Sequence, residues 1–329
     1  MQCLIGITRI YLKHAAILLA VGAVLQFAAA HTPGQAGAQR AAPLHVAQDA
    51  PQRPRITGID HVSLFVTDVG KANDFYSKIV GLPTKRAYGC RTVSLSCFVV
   101  NTHQQIELQS VPWLKPKNWL AEIAYATDNI EQMRRYLLSH DLRVTPITKD
   151  LNDALHFELR DPEGNALSFI HRAELNPDFT TTNNRVSKTL IHAGFVVRDI
   201  AAENHFYVDV LGFRLYWYGG LRDDGVDWYE LQVPDGDNWI EYMLNIPSTA
   251  DHKQLGAQNH FSFGVNEIQA AVDQLRKNGV EKIVGPGIGR DGKRGLNVYD
   301  PDDTRVEVTE FTPAREPCCH TYTAPHPTP

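Results

Sequence analysis

Alternating apolar and polar positions, followed by an amphipathic helical pattern, occur twice in this chain at an offset of 131 positions. Residues 59–76 read I-D-H-V-S-L-F-V-T-D-V-G-K-A-N-D-F-Y, and residues 190–207 read L-I-H-A-G-F-V-V-R-D-I-A-A-E-N-H-F-Y. The alternation predicts a strand that ends at Asp68 or Asp199, and the next stretch predicts a helix closed by V-G-L or L-G-F. Such a repeat predicts tandem structural units.

The same order of elements returns twice more. Strand patterns begin at Glu122 and Asn259, and helical patterns follow at residues 131–140 and 268–278. Each unit continues with short strand patterns, which predicts an α+β fold of four βαβββ modules. The modules form two predicted domains, residues 56–173 and 189–312, joined by a linker at residues 174–188.

The first 50 residues have a different composition. Arg9 and Lys13 precede an apolar run at residues 15–30, and this run ends in three alanines. The pattern predicts a signal peptide over residues 1–30, whereas an uncleaved anchor would usually need about 20 apolar residues. Residues 31–55 then predict a flexible linker. The expected location is periplasmic or secreted, without membrane attachment after cleavage.

Cysteine usage is compatible with export. Cys90 and Cys97 could form a disulfide across a hairpin, although spacing alone does not assign connectivity. Cys318 and Cys319 lie in a proline-rich tail at residues 313–329. Beside His320 this pair could bind a soft metal such as copper, but an ordered tail or an intermolecular disulfide is the simpler expectation.

Composition and charge limit the functional classes. The 329 residues are 43% hydrophobic and 21% charged, as expected for about two globular domains. A net charge of −5 offers no basic surface for nucleic acid. The expected partner is a small-molecule substrate, and a homodimer is compatible with this composition.

Four polar side chains fall at equivalent positions of the second predicted domain. His192 and His260 lie on the first strands of its two modules, and Glu241 and Glu307 lie on the last strands. A single histidine or glutamate in a strand is usually structural. Together, two imidazoles and two carboxylates suit a divalent ion such as zinc, nickel, iron or manganese. The sequence therefore predicts a metal site.

These motifs resemble the vicinal oxygen chelate superfamily, which includes glyoxalase I, extradiol dioxygenases and bleomycin-binding proteins. The resemblance covers residues 58–312 and rests on H-V-S-L-F-V, H-A-G-F-V-V, the two F-Y-x3-[VL]-G-[LF] segments and D-P-x5-E. It implies paired modules that curl into half-barrels, with one metal held by first and last strands. The ligands implied are His192, Glu241, His260 and Glu307.

The first domain departs from this pattern. His61 and Glu107 match the ligand positions, but Glu122 and Ser168 stand where His260 and Glu307 stand in the second domain. The first domain is therefore predicted to be a degenerate copy. If modules paired across domains, His61 and Glu107 would join His260 and Glu307 instead, and the sequence leaves this open.

The resemblance implies three possible functions. Two histidines and two glutamates resemble glyoxalase I, with Glu241 and Glu307 as the catalytic carboxylates of a lyase or isomerase. An extradiol dioxygenase would need iron held by His192, His260 and Glu307, but the usual additional histidine before the D-P turn is missing from residues 285–299. A ligand-binding resistance protein is the third. Glutathione is mainly cytosolic, which argues against a glutathione-dependent lyase in an exported protein.

Aromatic residues crowd the third module. Alternation directs some of them into the predicted half-barrel, where they would suit a flat or apolar substrate, although core packing explains them equally well. They are Trp217, Tyr218, Trp228, Tyr229, Trp239 and Tyr242.

Overall fold

The computed structural model describes residues 51–85, 96–113, 116–150, 153–173, 175 and 184–329. The predicted signal peptide, Cys90 and most of the linker at residues 174–188 lie outside these ranges. Among the described helices, none has both the length and the apolar character needed to cross a bilayer.

Each module consists of a first strand, a helix and three further strands, as predicted. The helices of the first and third modules end in a π-helical turn, which the sequence did not predict, and a short helix α4 precedes the fourth module. The strands are β1 (Ile56–Val66), β2 (Thr84–Lys85), β3 (Ser96–Val99), β4 (Gln105–Ser110), β5 (Leu120–Thr127), β6 (Thr148–Lys149), β7 (Leu155–Arg160), β8 (Ala166–His171), β9 (Thr189–Val196), β10 (Arg214–Gly219), β11 (Trp228–Gln232), β12 (Trp239–Met243), β13 (His260–Val265), β14 (Val284–Ile288), β15 (Arg294–Tyr299) and β16 (Arg305–Glu310). The helices are α1 (Val69–Asp74), α2 (Ile130–Ser139), α3 (Ile200–Asn204), α4 (His252–Gln258) and α5 (Ile268–Lys277), and the π-helical turns are Phe75–Ile79 and His205–Val210.

The strands form two eight-stranded mixed sheets. Their orders are β2-β3-β4-β1-β5-β8-β7-β6 and β10-β11-β12-β9-β13-β16-β15-β14. Consecutive modules therefore pair within a sheet, which answers the question of module pairing that the sequence left open. The α+β class and the two half-barrel sheets are confirmed. In each sheet the first strands of the two modules are adjacent and antiparallel, so the candidate ligands lie on four neighbouring central strands.

Side-chain caps start the helices of the first and third modules. The Asp68 side chain accepts a hydrogen bond from the backbone N–H of Lys71, and Asp199 accepts one from Ala202. A carboxylate at this position satisfies an otherwise unpaired N–H of the first turn and favours a helix start. The repeated aspartate thus has a local structural role at the end of each first strand.

The two sheets share one buried apolar core, and reciprocal tyrosine–aspartate hydrogen bonds cross between the domains within it. Tyr76 of the first module donates to Asp300 of the fourth at 3.0 Å. Tyr207 of the third module donates to Asp161 of the second at 3.4 Å. All four side chains are buried. The F-Y segments of the repeat therefore fasten each domain to the D-P turn of the other.

Asp300 makes folding stability depend on pH. Burial is the main cause that raises the pKa of this carboxyl to about 7 from 3.8. The folded chain therefore keeps a proton that the unfolded chain has lost between pH 4 and 7, so the free energy of unfolding falls as pH rises through that window. The shift corresponds to on the order of 4 kcal/mol.

We expect Asp300→Asn to flatten this dependence. The amide stays neutral, and its oxygen can still accept the backbone bonds from Asp302 and Thr304, both 2.9 Å long. Thermal unfolding from pH 4 to 8 should show a smaller loss of stability in the variant than in the wild type. Asp303→Asn is the control, because Asp303 lies in the same turn but its side chain is 39% exposed. Parallel curves of stability against pH for Asp300→Asn and the wild type would contradict the view that Asp300 causes this pH dependence.

The C-terminal tail packs on the edge strand β10. The indole of Trp217 donates to the carbonyl of His320 at 2.9 Å, and the backbone N–H of Thr323 donates to Tyr216 at 3.0 Å. Tyr322 packs on Tyr216 with ring centroids 4.7 Å apart. The tail has no helix or strand, as its prolines predict. Its two cysteines, Cys318 and Cys319, are joined to each other by a disulfide.

Candidate metal centre

The structure brings the four predicted ligands together on β12, β9, β13 and β16. His192 Nε2 lies 3.2 Å from His260 Nε2 and 3.1 Å from Glu307 Oε2. His260 Nε2 lies 3.2 Å from Glu241 Oε2 and 3.6 Å from Glu307 Oε2. The parallel pairing of β9 with β12 and of β13 with β16 sets these positions.

The spacing of these atoms fits a divalent ion. Imidazole nitrogens and carboxylate oxygens bind such ions at about 2.0–2.2 Å, so neighbouring ligand atoms lie about 3.0 Å apart in an octahedron and about 3.4 Å apart in a tetrahedron. The observed separations of 3.1–3.6 Å fall around these values. His192, Glu241 and His260 form a group in which one ligand atom from each residue lies within 4.8 Å of the other two.

The hydrogen bonds and charges of the cluster favour a cation. His260 Nδ1 lies 2.9 Å from the carbonyl of Gln258, so a proton resides there, and the Arg305 guanidinium, which can only donate, faces the lone pair of Nε2. Burial and Arg305 lower the pKa of His260, but its contacts with Glu241 and Glu307 outweigh them and raise it. Burial lowers the pKa of His192, which favours the neutral imidazole. Burial alone would raise the pKa of Glu307, but Arg305 and the two histidines hold it well below the usual range. Neutral imidazoles and ionised carboxylates are the forms that bind metals.

Gly194 allows the His260 ring to enter the cluster, a requirement that the sequence analysis missed. The two residues are cross-strand partners on β9 and β13. A Cβ at position 194 would lie 2.1 Å from His260 Cε1, closer than van der Waals contact permits. The signal was available in the repeat, because Ser63 occupies the same position in the first domain, opposite Glu122 instead of a histidine.

The first domain uses the matching positions for buried hydrogen bonds. His61 Nδ1 lies 2.7 Å from Asp60 Oδ1, which also accepts a hydrogen bond from Arg172. His61 Nε2 lies 3.9 Å from Glu107 Oε2, and Gln105 donates to Glu107 at 2.6 Å. His61 Nε2 and the Nε and Nη1 atoms of Arg172 are buried without a hydrogen-bond partner among the described residues. The loss of the metal set from the first domain stays a prediction from the sequence.

A cavity of about 400 Å³ opens onto the cluster. His192, Glu241 and Glu307 line it together with Trp217, Trp228 and Trp239. Tyr218 and Tyr229 instead stack on each other, and Tyr242 is in the core. The three tryptophans of the third module therefore line the cavity, whereas Tyr218, Tyr229 and Tyr242 lie elsewhere, as strand alternation allows.

Basic residues in this cavity were not identified from the sequence. Lys293 is buried, with Nζ 4.0 Å from the Trp239 ring centroid and 3.2 Å from the Tyr216 hydroxyl. Arg305 donates from Nη2 to His260 Nε2 at 2.6 Å. Both lie on or beside the last two strands, where buried and exposed charged residues are mixed, as Glu310 and Arg294 show, so the pattern alone did not distinguish them.

A larger cavity of about 880 Å³ contains none of the four candidate ligands. It lies between the two sheets, with Asn118 and Glu163 from the first domain facing His252 and Asp302 from the second. A substrate that contacts the ligand cluster would therefore bind in the smaller cavity.

The sequence matches the family profile described as Glyoxalase/Bleomycin resistance protein/Dioxygenase superfamily over residues 58–169 and 189–308, which is more than half of the chain. An uncharacterised protein of Bacillus subtilis (strain 168), YwkD, is 23% identical over 126 residues, which are 37% of this chain and 97% of YwkD.

Solved structures of homoprotocatechuate 2,3-dioxygenase are similar in fold. A variant of the enzyme from B. fuscum gives a TM-score of 0.60 at 17% identity and covers 79% of this chain and 73% of the other. The complex of the B. fuscum enzyme with 3,4-dihydroxyphenylacetate gives a TM-score of 0.58 at 18% identity, and the match covers 83% of this chain and 86% of the other. The enzyme from Arthrobacter globiformis gives a TM-score of 0.59 at 17% identity, and the match covers 78% of this chain and 80% of the other. At this identity the likeness concerns the fold alone.

Proposed function

Because the chain belongs to the glyoxalase/bleomycin resistance protein/dioxygenase superfamily, we propose that it is a metal-dependent enzyme that moves a proton on a small oxygen-chelating substrate, in the manner of a glyoxalase I-type lyase or isomerase. The observation that carries this proposal is the position of Glu241. Its Oε2 atom lies 3.2 Å from His260 Nε2, inside the ligand cluster.

A bound divalent ion would polarise two substrate oxygens and so acidify the adjacent C–H bond. His192, His260, Glu241 and Glu307 would hold the ion. A carboxylate at the edge of this cluster can accept a proton from the substrate carbon and return it to the neighbouring carbon. Glu241 and Glu307 are both ionised and both reach the centre, so either can carry the proton. The tryptophans around them would reduce access of water.

The number of candidate ligands separates this proposal from ring cleavage. Extradiol enzymes hold iron with two histidines and one carboxylate, which leaves three open positions on an octahedral ion. A fourth protein ligand would leave two open positions. Two positions are enough for a substrate that binds through two oxygens, but they leave none for dioxygen. Glu241 therefore favours proton transfer.

An extradiol dioxygenase that uses Fe(II) is the alternative. It is supported by the similarity in fold to homoprotocatechuate 2,3-dioxygenases across both domains. His192, His260 and Glu307 would be its triad, and the cavity with Trp217 and Trp228 would suit an aromatic ring. A protein that binds a ligand without turnover is the second alternative.

The test combines elemental analysis with two assays on the same preparation. Full-length protein is purified without chelators, and its metal is identified. It is then assayed with a hemithioacetal formed from methylglyoxal and a thiol, and with a catechol. Zinc or nickel with hemithioacetal turnover supports the proposal, whereas iron with ring cleavage supports the dioxygenase. Metal-loaded protein without either activity would support the binding protein.

We also propose that the protein is exported, on the basis of the apolar run at residues 15–30 and the alanines that end it. The mature chain from the native host should begin near His31, because small residues precede the predicted cleavage site. N-terminal sequencing of the purified protein checks this. Retention of Met1 in a soluble cytoplasmic fraction would refute export.

A further inference from the structure

Arg305 lies closest of the basic residues to the candidate metal centre. It is on β16 two residues before Glu307, so the two side chains point to the same face of the sheet. Its Nη2 atom donates to His260 Nε2 at 2.6 Å. This nitrogen carries the lone pair that a metal would use, because the His260 proton is on Nδ1, against the Gln258 carbonyl.

The guanidinium of Arg305, a half-buried residue, has few protein partners. Its Nε atom is buried and without a hydrogen-bond partner. Within the described ranges, its one side-chain hydrogen bond is the one to His260. Glu307 lies near enough for Arg305 to lower its pKa but forms no direct ion pair with it. A planar group with five donors is normally satisfied by a carboxylate or phosphate, often through two parallel bonds.

Metal binding would remove the hydrogen bond that Arg305 has. An ion on His260 Nε2 uses the lone pair to which Nη2 now donates, so the guanidinium must turn away from that nitrogen. Its Nη2 donor would then lack its present partner. Leaving a charged donor buried and unpaired is costly. An anionic group of the substrate beside the ion is the partner that would satisfy it.

The charge of the cavity wall also favours an anionic substrate once a metal is bound. Four carboxylates line it, from Glu230, Glu241, Asp291 and Glu307, and three basic groups, from Arg290, Lys293 and Arg305. A divalent ion adds two positive charges to this wall, and burial raises the pKa of Glu230 well above its usual range, which favours the neutral form of that carboxyl. The metal-loaded cavity is therefore suited to an anion.

We infer that Arg305 binds a carboxylate of the substrate, so that the substrate is an oxygen chelator that bears an acidic group next to its chelating oxygens. This inference rests on the proposed metal centre and adds the class of substrate. Arg305 is a specificity residue in this view. It distinguishes acidic chelators from neutral ones of similar size by supplying charge-assisted hydrogen bonds that the neutral compounds cannot accept as strongly.

Calorimetric titration of the full-length protein loaded with Co²⁺ tests the inference. The probes are oxalate, an acidic chelator, and hydroxyacetone, a neutral one. In Arg305→Gln the dissociation constant for oxalate should rise by at least about tenfold, as expected for the loss of a charge-assisted pair. The dissociation constant of Arg305→Lys for oxalate should lie between those of the wild type and Arg305→Gln. Lysine keeps the positive charge but lacks the two parallel N–H donors of the guanidinium. The dissociation constant for hydroxyacetone should change by less than about threefold, since no charge pairs with it.

Bound cobalt is measured in each variant as an independent readout. Arg305→Gln should bind it at least as tightly as the wild type, because a competing cation has been removed. Arg214→Gln is the control, since Arg214 is an exposed arginine of the same sheet that does not line the cavity. Unchanged oxalate affinity in Arg305→Gln would overturn the inference, and so would loss of cobalt, which would mean that Arg305 supports the ligand cluster. Wild-type protein that binds no cobalt would instead overturn the proposed metal centre and, with it, the inference.

Discussion

Bound metal is expected to fall to background in His260→Ala and to stay near the wild-type level in His61→Ala. His260 Nε2 is at the centre of the cluster, within 3.6 Å of His192, Glu241 and Glu307. Replacing even an outer-shell partner typically costs 10–100-fold in metal affinity, so the loss of this ligand should exceed about 100-fold. His61 belongs to a different sheet and contacts Asp60 and Glu107. The measurement is metal content per chain after dialysis.

His205→Ala is the control for both histidine variants, because His205 is exposed on a π-helical turn of the second domain. Circular dichroism establishes that each variant is folded. Equal loss of metal from His61→Ala and His260→Ala would contradict a centre confined to the second domain. Full metal content in His260→Ala would show that this cluster is not the metal-binding site.

Glu241→Gln is expected to keep most of the metal and to lose turnover of a hemithioacetal by at least about a hundredfold. His192, His260 and Glu307 remain to hold the ion, whereas an amide cannot accept the substrate proton. Under the dioxygenase alternative the iron triad is intact, so ring cleavage of a catechol should change only modestly. Metal content and both turnover rates are measured on the same preparations.

Glu281→Gln provides the matched control, since Glu281 is an exposed glutamate of the same domain. Undiminished hemithioacetal turnover in Glu241→Gln would exclude Glu241 from proton transfer. Loss of metal from this variant would mean that three ligands do not suffice, and the four-ligand centre would then be the unit required for binding.

The sequence could predict the modules and the positions of the candidate ligands because both follow from period and register. Alternation sends every second residue of a strand to one face, and the repeat aligns His192 with His61 and Glu307 with Ser168. Once the first strands of paired modules are adjacent, residues at equivalent positions must meet. The fold therefore followed from the repeat, and the convergence of the four side chains followed from the fold.

Other features depend on contacts between segments that are distant in sequence. Lys293 and Tyr322 are 29 positions apart, and their cation–π contact of 5.2 Å exists only because the tail returns along β10. The π-helical turns extend each first helix so that Tyr76 reaches Asp300, 224 positions away. No local pattern encodes such pairings. Gly194 differs, because its role could have been inferred by comparing the two copies of the repeat.

The space left by Gly194 also makes the divergence of the two domains hard to reverse. His61 and Glu107 are already present in the first domain, but a metal quartet there would require Glu122→His, Ser168→Glu and Ser63→Gly together. A histidine at position 122 would face the Ser63 side chain across β1 and β5, where His260 faces a bare Cα. A glutamate introduced alone at position 168 would be buried in the middle of β8 without an ion to bind. Each single step costs stability and gains no site. Single replacements in the first domain are therefore expected to lower its stability before any metal site is complete.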